Sequence, residues 1–210
     1  MPLLQPRFSE EEMLPIIVKD IAENLRAWIL FAIVSAAASL LCTGQMHSQI
    51  ASGFTQAITL GSGLIFAHGV VFAERRRRHL VFLRGLPISD SAIVGGKFIS
   101  VLLLTYSLAA VPYLTGLFFS IQSPPSLSVL GLSLSTLYTS LVLGLYICFR
   151  HPALPFIPLY GSTLVILWSD AELSQLQSLG TDTAAVLSLA ASILVYRSAV
   201  FVFKMKELDF

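Results

Sequence analysis

Apolar residues in this chain come in long runs separated by short polar segments. About 20 apolar residues are needed for a helix to cross the ~30 Å hydrocarbon core of a bilayer. Six stretches approach that length: Trp28 to Thr43, Phe54 to Ala73, Ser91 to Ser120, Leu127 to Phe149, Pro152 to Trp168 and Thr183 to Phe203. The pattern predicts an all-α membrane protein with six transmembrane helices in one bundle, residues 28–203.

The segment before the first span has a mixed pattern. Its apolar residues recur at helical spacing: Leu14, Ile17, Val18, Ile21, Leu25 and Trp28. Charged and polar residues lie between them: Lys19, Asp20, Glu23 and Asn24. Because these charges are too many for a span, we expect residues 1–27 to form a cytoplasmic tail and an amphipathic interfacial helix. That helix would lie flat on the membrane, with Trp28 at headgroup level.

Composition supports a membrane protein. Hydrophobic residues make up 55% of the chain and charged residues 12%, with a mean hydropathy of +0.80. Soluble domains carry about 25% charged residues.

The distribution of basic residues predicts the orientation. The three loops that would face outward are Gly44 to Gly53, Ile121 to Ser126 and Ser169 to Asp182, and none contains Lys or Arg. All 13 basic residues lie on the opposite side or near that end of a span. Cytoplasmic loops of membrane proteins carry the excess of Lys and Arg. Both termini, including the tail 204–210, should therefore be cytoplasmic.

Motifs for catalysis are lacking. Gly95-Gly96-Lys97 has Ser91 and Phe98 where a phosphate-binding loop needs Gly and Ser or Thr. Ser62 has no well-placed histidine that could act as its base. The four histidines lack the spacing of metal ligands. We expect His68 to pack or hydrogen-bond between helices and not to act as a ligand. We expect a chain that is not an enzyme by itself and binds no cofactor or metal.

Five arginines lie between the second and third predicted spans. Residues 75–86 can form about three helical turns with Leu80, Leu83 and Leu86 on one side. Pro87 ends that helix, and Ser89 or Asp90 can cap the next one. Charge alone leaves two interpretations open: a helix that contacts a cytoplasmic partner, or a basic loop held at anionic lipids.

The stretch from Glu74 to Lys97 resembles the loop between the second and third spans of ABC type-2 exporter permeases. That family has Glu at the end of the second span, a basic and polar turn, a Leu-rich helix, Leu-Pro-Val/Ile-Ser, an Ile-Val pair and Gly-Lys. The matching residues fall in register without a gap: Glu74, Leu80, Leu83, Leu86, Pro87, Ile88, Ser89, Ile93, Val94, Gly96 and Lys97. The family often has Gly-Thr where this chain has Arg78-His79.

The resemblance implies that residues 75–86 are a coupling helix seated in a groove of an ABC ATPase subunit. The implied coupling residues are Glu74, Arg75, Arg76, Arg77, Leu80, Leu83, Arg84, Leu86 and Pro87. ATP and Mg would be bound by that partner, and a second permease chain would complete the path. The other expected partner is membrane lipid, with no nucleic acid. The expected location is a plasma (inner) membrane, of prokaryotic type.

Hydroxyl-bearing residues in the third and fourth spans are candidates for a substrate path: Tyr106, Tyr113, Thr136 and Tyr138. Most such hydroxyls are expected to hydrogen-bond between helices. We expect no buried charge in the spans. Arg197 is the exception within a span, and we expect it to snorkel to the headgroups. Nothing in these residues identifies the substrate.

Two alternatives stay open beside an exporter permease. A related six-span permease of the haem-exporter type serves cytochrome c maturation and would need haem-handling partners. A membrane assembly factor or sensor could keep the same scaffold without transporting anything.

The orientation can be tested by cysteine labelling. With Cys42 and Cys148 replaced, Gln49→Cys, Ser123→Cys and Gln177→Cys should react with an impermeant thiol reagent in intact cells, and His79→Cys should not. Labelling of His79→Cys from outside would contradict both the six-span topology and the cytoplasmic position of the arginines.

Overall fold

The computed structural model describes residues 10–42, 61–72, 88–119, 129–148 and 181–205, and this part of the chain is all-helical. Within these ranges only Ile88, Ser89 and Phe119 lie outside helices, and no strand occurs. The predicted all-α class is confirmed for the described residues.

Five helices make up the described part of the chain. They are α1 (Glu10–Cys42), α2 (residues 61–72, with a π-helical turn at His68–Phe72), α3 (Asp90–Phe118), α4 (Val129–Cys148) and α5 (Thr181–Met205). Helices α3, α4 and α5 occupy the predicted third, fourth and sixth spans, with ends that differ by one or two residues. The predicted fifth span and the coupling helix lie outside the described residues.

Among the described residues, three helical stretches are long and apolar enough to cross a membrane: Glu12–Leu40, Asp90–Phe118 and Ala185–Met205. Two shorter apolar stretches are Gly61–Val71 and Thr136–Cys148.

The clearest departure from the sequence prediction is α1. In place of a flat interfacial helix followed by a span at Trp28, residues 10–42 form one helix of 33 residues. Its polar side faces the protein, because Asp20 is 1% exposed. Its apolar side faces away from the described helices, with Leu14 62% and Val18 58% exposed. The sequence predicted a separate interfacial helix, with its charges in water, before the span. The observed helix is continuous instead, and Asp20 and Asn24 are buried against neighbouring helices while Glu23 is exposed.

Helices α1 and α3 run parallel, since their contacts advance together along both. Glu12 meets Ser89, Asp20 meets Lys97 and Trp28 meets Ser107. The Trp28 indole donates to Ser107 Oγ at 2.9 Å. Ser107 lies well inside α3, so Trp28 does not sit at the end of its neighbour as a headgroup-level residue would.

Helices α2 and α4 form a second parallel pair, and α2 runs antiparallel to α1. The α2–α4 contacts join Gly63 to Thr139 and His68 to Tyr146. The α1–α2 contacts join Asn24 to Gly69 and Phe31 to Phe66.

Packing divides the described helices into two main groups. Helix α1 packs chiefly on α3, and α4 packs chiefly on α5, while α2 contacts α1, α3 and α4. Phe66, Leu108 and Val142 are fully buried where these helices meet.

Glycines allow close approach within each group. A Cβ built on Gly96 of α3 would lie 3.0 Å from Ile16 Cγ2 of α1. One built on Gly144 of α4 would lie 2.7 Å from Val195 Cγ1 of α5. Small residues at helix interfaces give the van der Waals contact that drives helix association in membranes.

A single methyl group at Gly144 should therefore be destabilising. Gly144→Ala should lower the apparent Tm in mild detergent, because overpacking typically costs about 1–3 kcal/mol. Gly61→Ala is the matched control: no described atom lies within 4 Å of its built Cβ, and alanine favours helix. Equal thermal stability of the two variants would contradict the close α4–α5 contact.

Candidate functional site

The residues proposed from the sequence to contact an ATPase lie outside the described part of the chain. They are Glu74, Arg75, Arg76, Arg77, Leu80, Leu83, Arg84, Leu86 and Pro87. The structure does describe the residues that follow them, beginning at Ile88. These residues form the start of α3, directly after the predicted coupling segment, residues 75–86.

Ser89 starts α3 as its N-cap, as predicted from the sequence. Its φ and ψ are −70° and 142°, and its Oγ accepts from Ala92 N at 3.2 Å. The Ser89 carbonyl also accepts from Ala92 N and Ile93 N. Asp90 in the first turn suits the positive end of the helix dipole. Helix α3 therefore begins within three residues of Pro87.

The N-cap of α3 is also bound to α1. Glu12 Oε2 accepts from Ser89 N at 3.4 Å and from Ser89 Oγ at 3.3 Å. The first turn of α1 thus contacts the point where the chain enters α3.

A buried ion pair lies eight residues further along both helices. Lys97 Nζ of α3 donates to Asp20 Oδ1 of α1 at 2.7 Å, and the two side chains are 2% and 1% exposed. Lys19 Nζ lies 3.8 Å from the same Asp20 oxygen and 3.8 Å from Glu23 Oε1. The four charges alternate in sign and sum to zero along a path from the interior to the surface.

The surroundings make this pair energetically important. The side-chain amide of Asn24 donates to the backbone carbonyl of Asp20 at 2.8 Å. Ile16 and Val101, each four residues from one member of the pair, are also buried. Asp20 Oδ2 accepts no hydrogen bond from the described residues, so Lys97 is the main compensation for that carboxylate. A lone charge in such an environment costs several kcal/mol or shifts to its neutral form.

The expectation that the spans hold no buried charge is wrong. Lys97 stands inside the predicted third span, and an ionisable residue within a span is by itself a signal of function. Its partner could not be read from the sequence, because Asp20 lies 77 positions away. Arg197, which was singled out from the sequence, is exposed on α5.

His68 makes the contact between helices that its position in the second span predicted. Its Nδ1 lies 3.1 Å from the Tyr146 hydroxyl of α4, with the two rings edge to face. His68 also begins the π-helical turn of α2. Such turns are rare and often occur at functional sites.

Two of the four candidate path residues contact each other in the structure. The hydroxyls of Tyr106 on α3 and Thr136 on α4 contact each other, so the prediction of hydrogen bonds between helices is confirmed for this pair. Tyr138 is 8% exposed, whereas Tyr113 is 39% exposed. Tyr106 and Thr136 are the two of these residues whose hydroxyls contact each other.

The charged residues of the described site hold helices in place. No three His, Cys, Asp or Glu side chains come together there to hold a metal ion. Fixed, paired charges instead hold two helices in register. Comparison with protein-family models, with curated proteins and with solved structures finds no match to this chain.

Breaking the pair from one side should be more damaging than removing both charges. Asp20→Asn or Lys97→Met alone leaves a buried charge without its partner and should lower stability by about 3–5 kcal/mol. The double variant Asp20→Asn/Lys97→Met should recover most of that loss. Thermal unfolding in detergent measures both effects.

The control is Glu23→Gln, at the 38% exposed end of the network. An exposed pair contributes about 0–1 kcal/mol, so this variant should unfold near the wild-type temperature. Single variants as stable as Glu23→Gln would show that the pair is not buried as described.

Proposed function

We propose that this chain is the transmembrane permease subunit of an ATP-driven exporter of the ABC type-2 class, powered by a separate ATPase subunit. The observation that carries the proposal is the ungapped register from Glu74 to Lys97. The serine of its Leu-Pro-Ile-Ser element is the N-cap of α3, where the resemblance needs the third span to begin.

Helix directions support a six-span topology with both termini in the cytoplasm. In that topology the first and third spans run outward, while the second, fourth and sixth run inward. Parallel α1 and α3, antiparallel α1 and α2, and parallel α2 and α4 are the directions it requires. The basic residues then lie at the cytoplasmic ends.

Exposed apolar side chains support a membrane location and a second permease chain. Helix α5 carries Leu187, Leu194 and Phe201, each about two thirds exposed at 65%, 66% and 64%. Helix α1 carries a similar stripe through Leu30 and Ile33, 61% and 62% exposed. Surfaces of this kind suit lipid tails or another copy of the chain, because soluble proteins rarely expose large apolar patches.

In this proposal the coupling segment docks into the ATPase through an apolar anchor and a charged rim. Leu83, with Leu80 beside it, would fill the groove, and Arg76 and Arg84 would contact its edge. ATP and Mg would bind the ATPase alone.

The most direct test is purification in mild detergent followed by identification of the proteins that travel with the chain. An ABC ATPase should co-purify, and the chain freed of it should hydrolyse no ATP above background. Haem-handling proteins of cytochrome c maturation would favour the haem-exporter type instead. A partner set without any ATPase would contradict an exporter.

The coupling segment can be tested by paired substitutions. Leu80→Asp/Leu83→Asp should release the ATPase while the permease stays inserted, because truncating a buried anchor costs about 2 kcal/mol or more. Arg76→Ala should weaken assembly mainly at high salt, since exposed charges are screened over about 8 Å at physiological ionic strength.

Co-purification at two salt concentrations measures both responses. If the double aspartate variant kept its ATPase, residues 75–86 would be a basic loop at lipid headgroups, and the proposal would lose its main support.

A further inference from the structure

We propose that Asp20 and Lys97 are positioning residues that fix α1 to α3, so that the two helices move as one unit against α4 and α5 when the coupling segment is displaced. This inference rests on the proposed function for the source of the displacement. The attachment itself rests only on the described helices.

Two of the polar contacts between these helices lie at equal spacing. Glu12 to Ser89 is the first, and Asp20 to Lys97 is the second. The step is eight residues on both helices, or about 12 Å at 1.5 Å per residue. Equal steps on two parallel helices mean that both contacts form in a single register.

Close packing between the two contacts prevents the helices from sliding. Built Cβ atoms on Gly95 and Gly96 would lie 3.2 Å from Met13 Sδ and 3.0 Å from Ile16 Cγ2. A slide by one turn would place these side chains against bulkier neighbours and separate Lys97 from Asp20. Since both side chains are buried, loss of this 2.7 Å contact would be costly.

Contacts between the two groups of helices are of a different kind. The Tyr196 hydroxyl of α5 donates to the Ser91 carbonyl of α3 at 3.4 Å, and its ring meets Phe98 edge to face. These two contacts are neutral, unlike the ion pair between α1 and α3. Neutral contacts of this kind can shift without exposing a charge, so relative movement between the groups costs less than movement within α1 and α3.

The position of the ion pair explains why α1 would follow the coupling segment. The pair lies about ten residues beyond Pro87, in the first half of α3. Helix α1 has no direct chain connection to the coupling segment, because residues 43–60 and α2 intervene in the sequence. Helix α1 packs chiefly on α3, so these contacts would be its principal link to the segment, beside smaller contacts with α2.

The test measures distances between spin labels on the chain in lipid nanodiscs, with Cys42→Ala and Cys148→Ala as background. Exposed positions carry the labels: Val18→Cys on α1, Leu103→Cys on α3 and Leu194→Cys on α5, which are 58%, 48% and 66% exposed. The α1–α3 distance distribution should be narrow. It should broaden in Asp20→Asn/Lys97→Met and narrow again in the exchanged pair Asp20→Lys/Lys97→Asp.

A second measurement uses the complex of the chain with its ATPase. It compares two states of that complex: one without nucleotide and one trapped with ATP and vanadate. The α3–α5 and α1–α5 distances should change together in the wild type. In the neutral double variant only the α3–α5 change should persist, although its Tm stays near that of the wild type. That separation distinguishes a positioning role from simple stabilisation.

The contrary outcomes are distinct. A narrow α1–α3 distribution in the neutral variant, or an α1 that still follows α3 in it, would overturn the inference. If the neutral variant does not fold, the variant Asp20→Lys/Lys97→Asp provides the test. A broad α1–α3 distance distribution in that variant, when folded, would also overturn the inference. A complex without ATPase would overturn the proposed function alone, because the distribution width is measured without nucleotide.

Discussion

The buried contact between Asp20 and Lys97 is the constraint on which the described structure depends. Two charges enclosed by apolar helices are tolerated only as a close pair, and here the atoms are 2.7 Å apart. That closeness requires α1 and α3 to be parallel and in one register, with glycine where the backbones approach. The same helix, α1, continues from Asp20 through the first predicted span as far as Cys42. The charges that would exclude α1 from the membrane thus determine where it packs.

Apolar runs predicted most of the helices because apolar length depends on local sequence. The predicted third, fourth and sixth spans fall within two residues of α3, α4 and α5, and the Ser89 cap was readable from the turn chemistry around Pro87. The contact of His68 with another helix was expected, although its partner Tyr146 was not. These features each depend on a few neighbouring positions.

Tertiary pairing could not be predicted in the same way. The sequence shows that α1 has a clear apolar stripe. It does not show which side of the helix faces protein and which faces lipid, because either environment can be apolar in a membrane. Asp20 and Asn24 are four residues apart, on the side that proved to be internal. Lys97 inside a span was the available signal, and only the fold supplies the carboxylate that neutralises it.

The proposed function links these features to the energy that transport needs. A permease without a nucleotide site must receive its energy through contact, and the coupling segment leads directly into α3 at Ser89. A buried ion pair joins α3 to α1, whereas the Tyr196 contacts between α3 and α5 are neutral. In this proposal, movement of α3 would carry α1 with it. The Glu74–Lys97 register and the helix directions support the same proposal from independent observations.

The central claim is that residues 75–86 contact an ATPase, and site-specific photo-crosslinking in intact cells tests it most directly. A photoreactive amino acid at position 83 should crosslink the chain to an ATP-binding protein. The same group at position 177, in a predicted outward loop, should not. Crosslinks from position 83 to lipid alone would contradict the account.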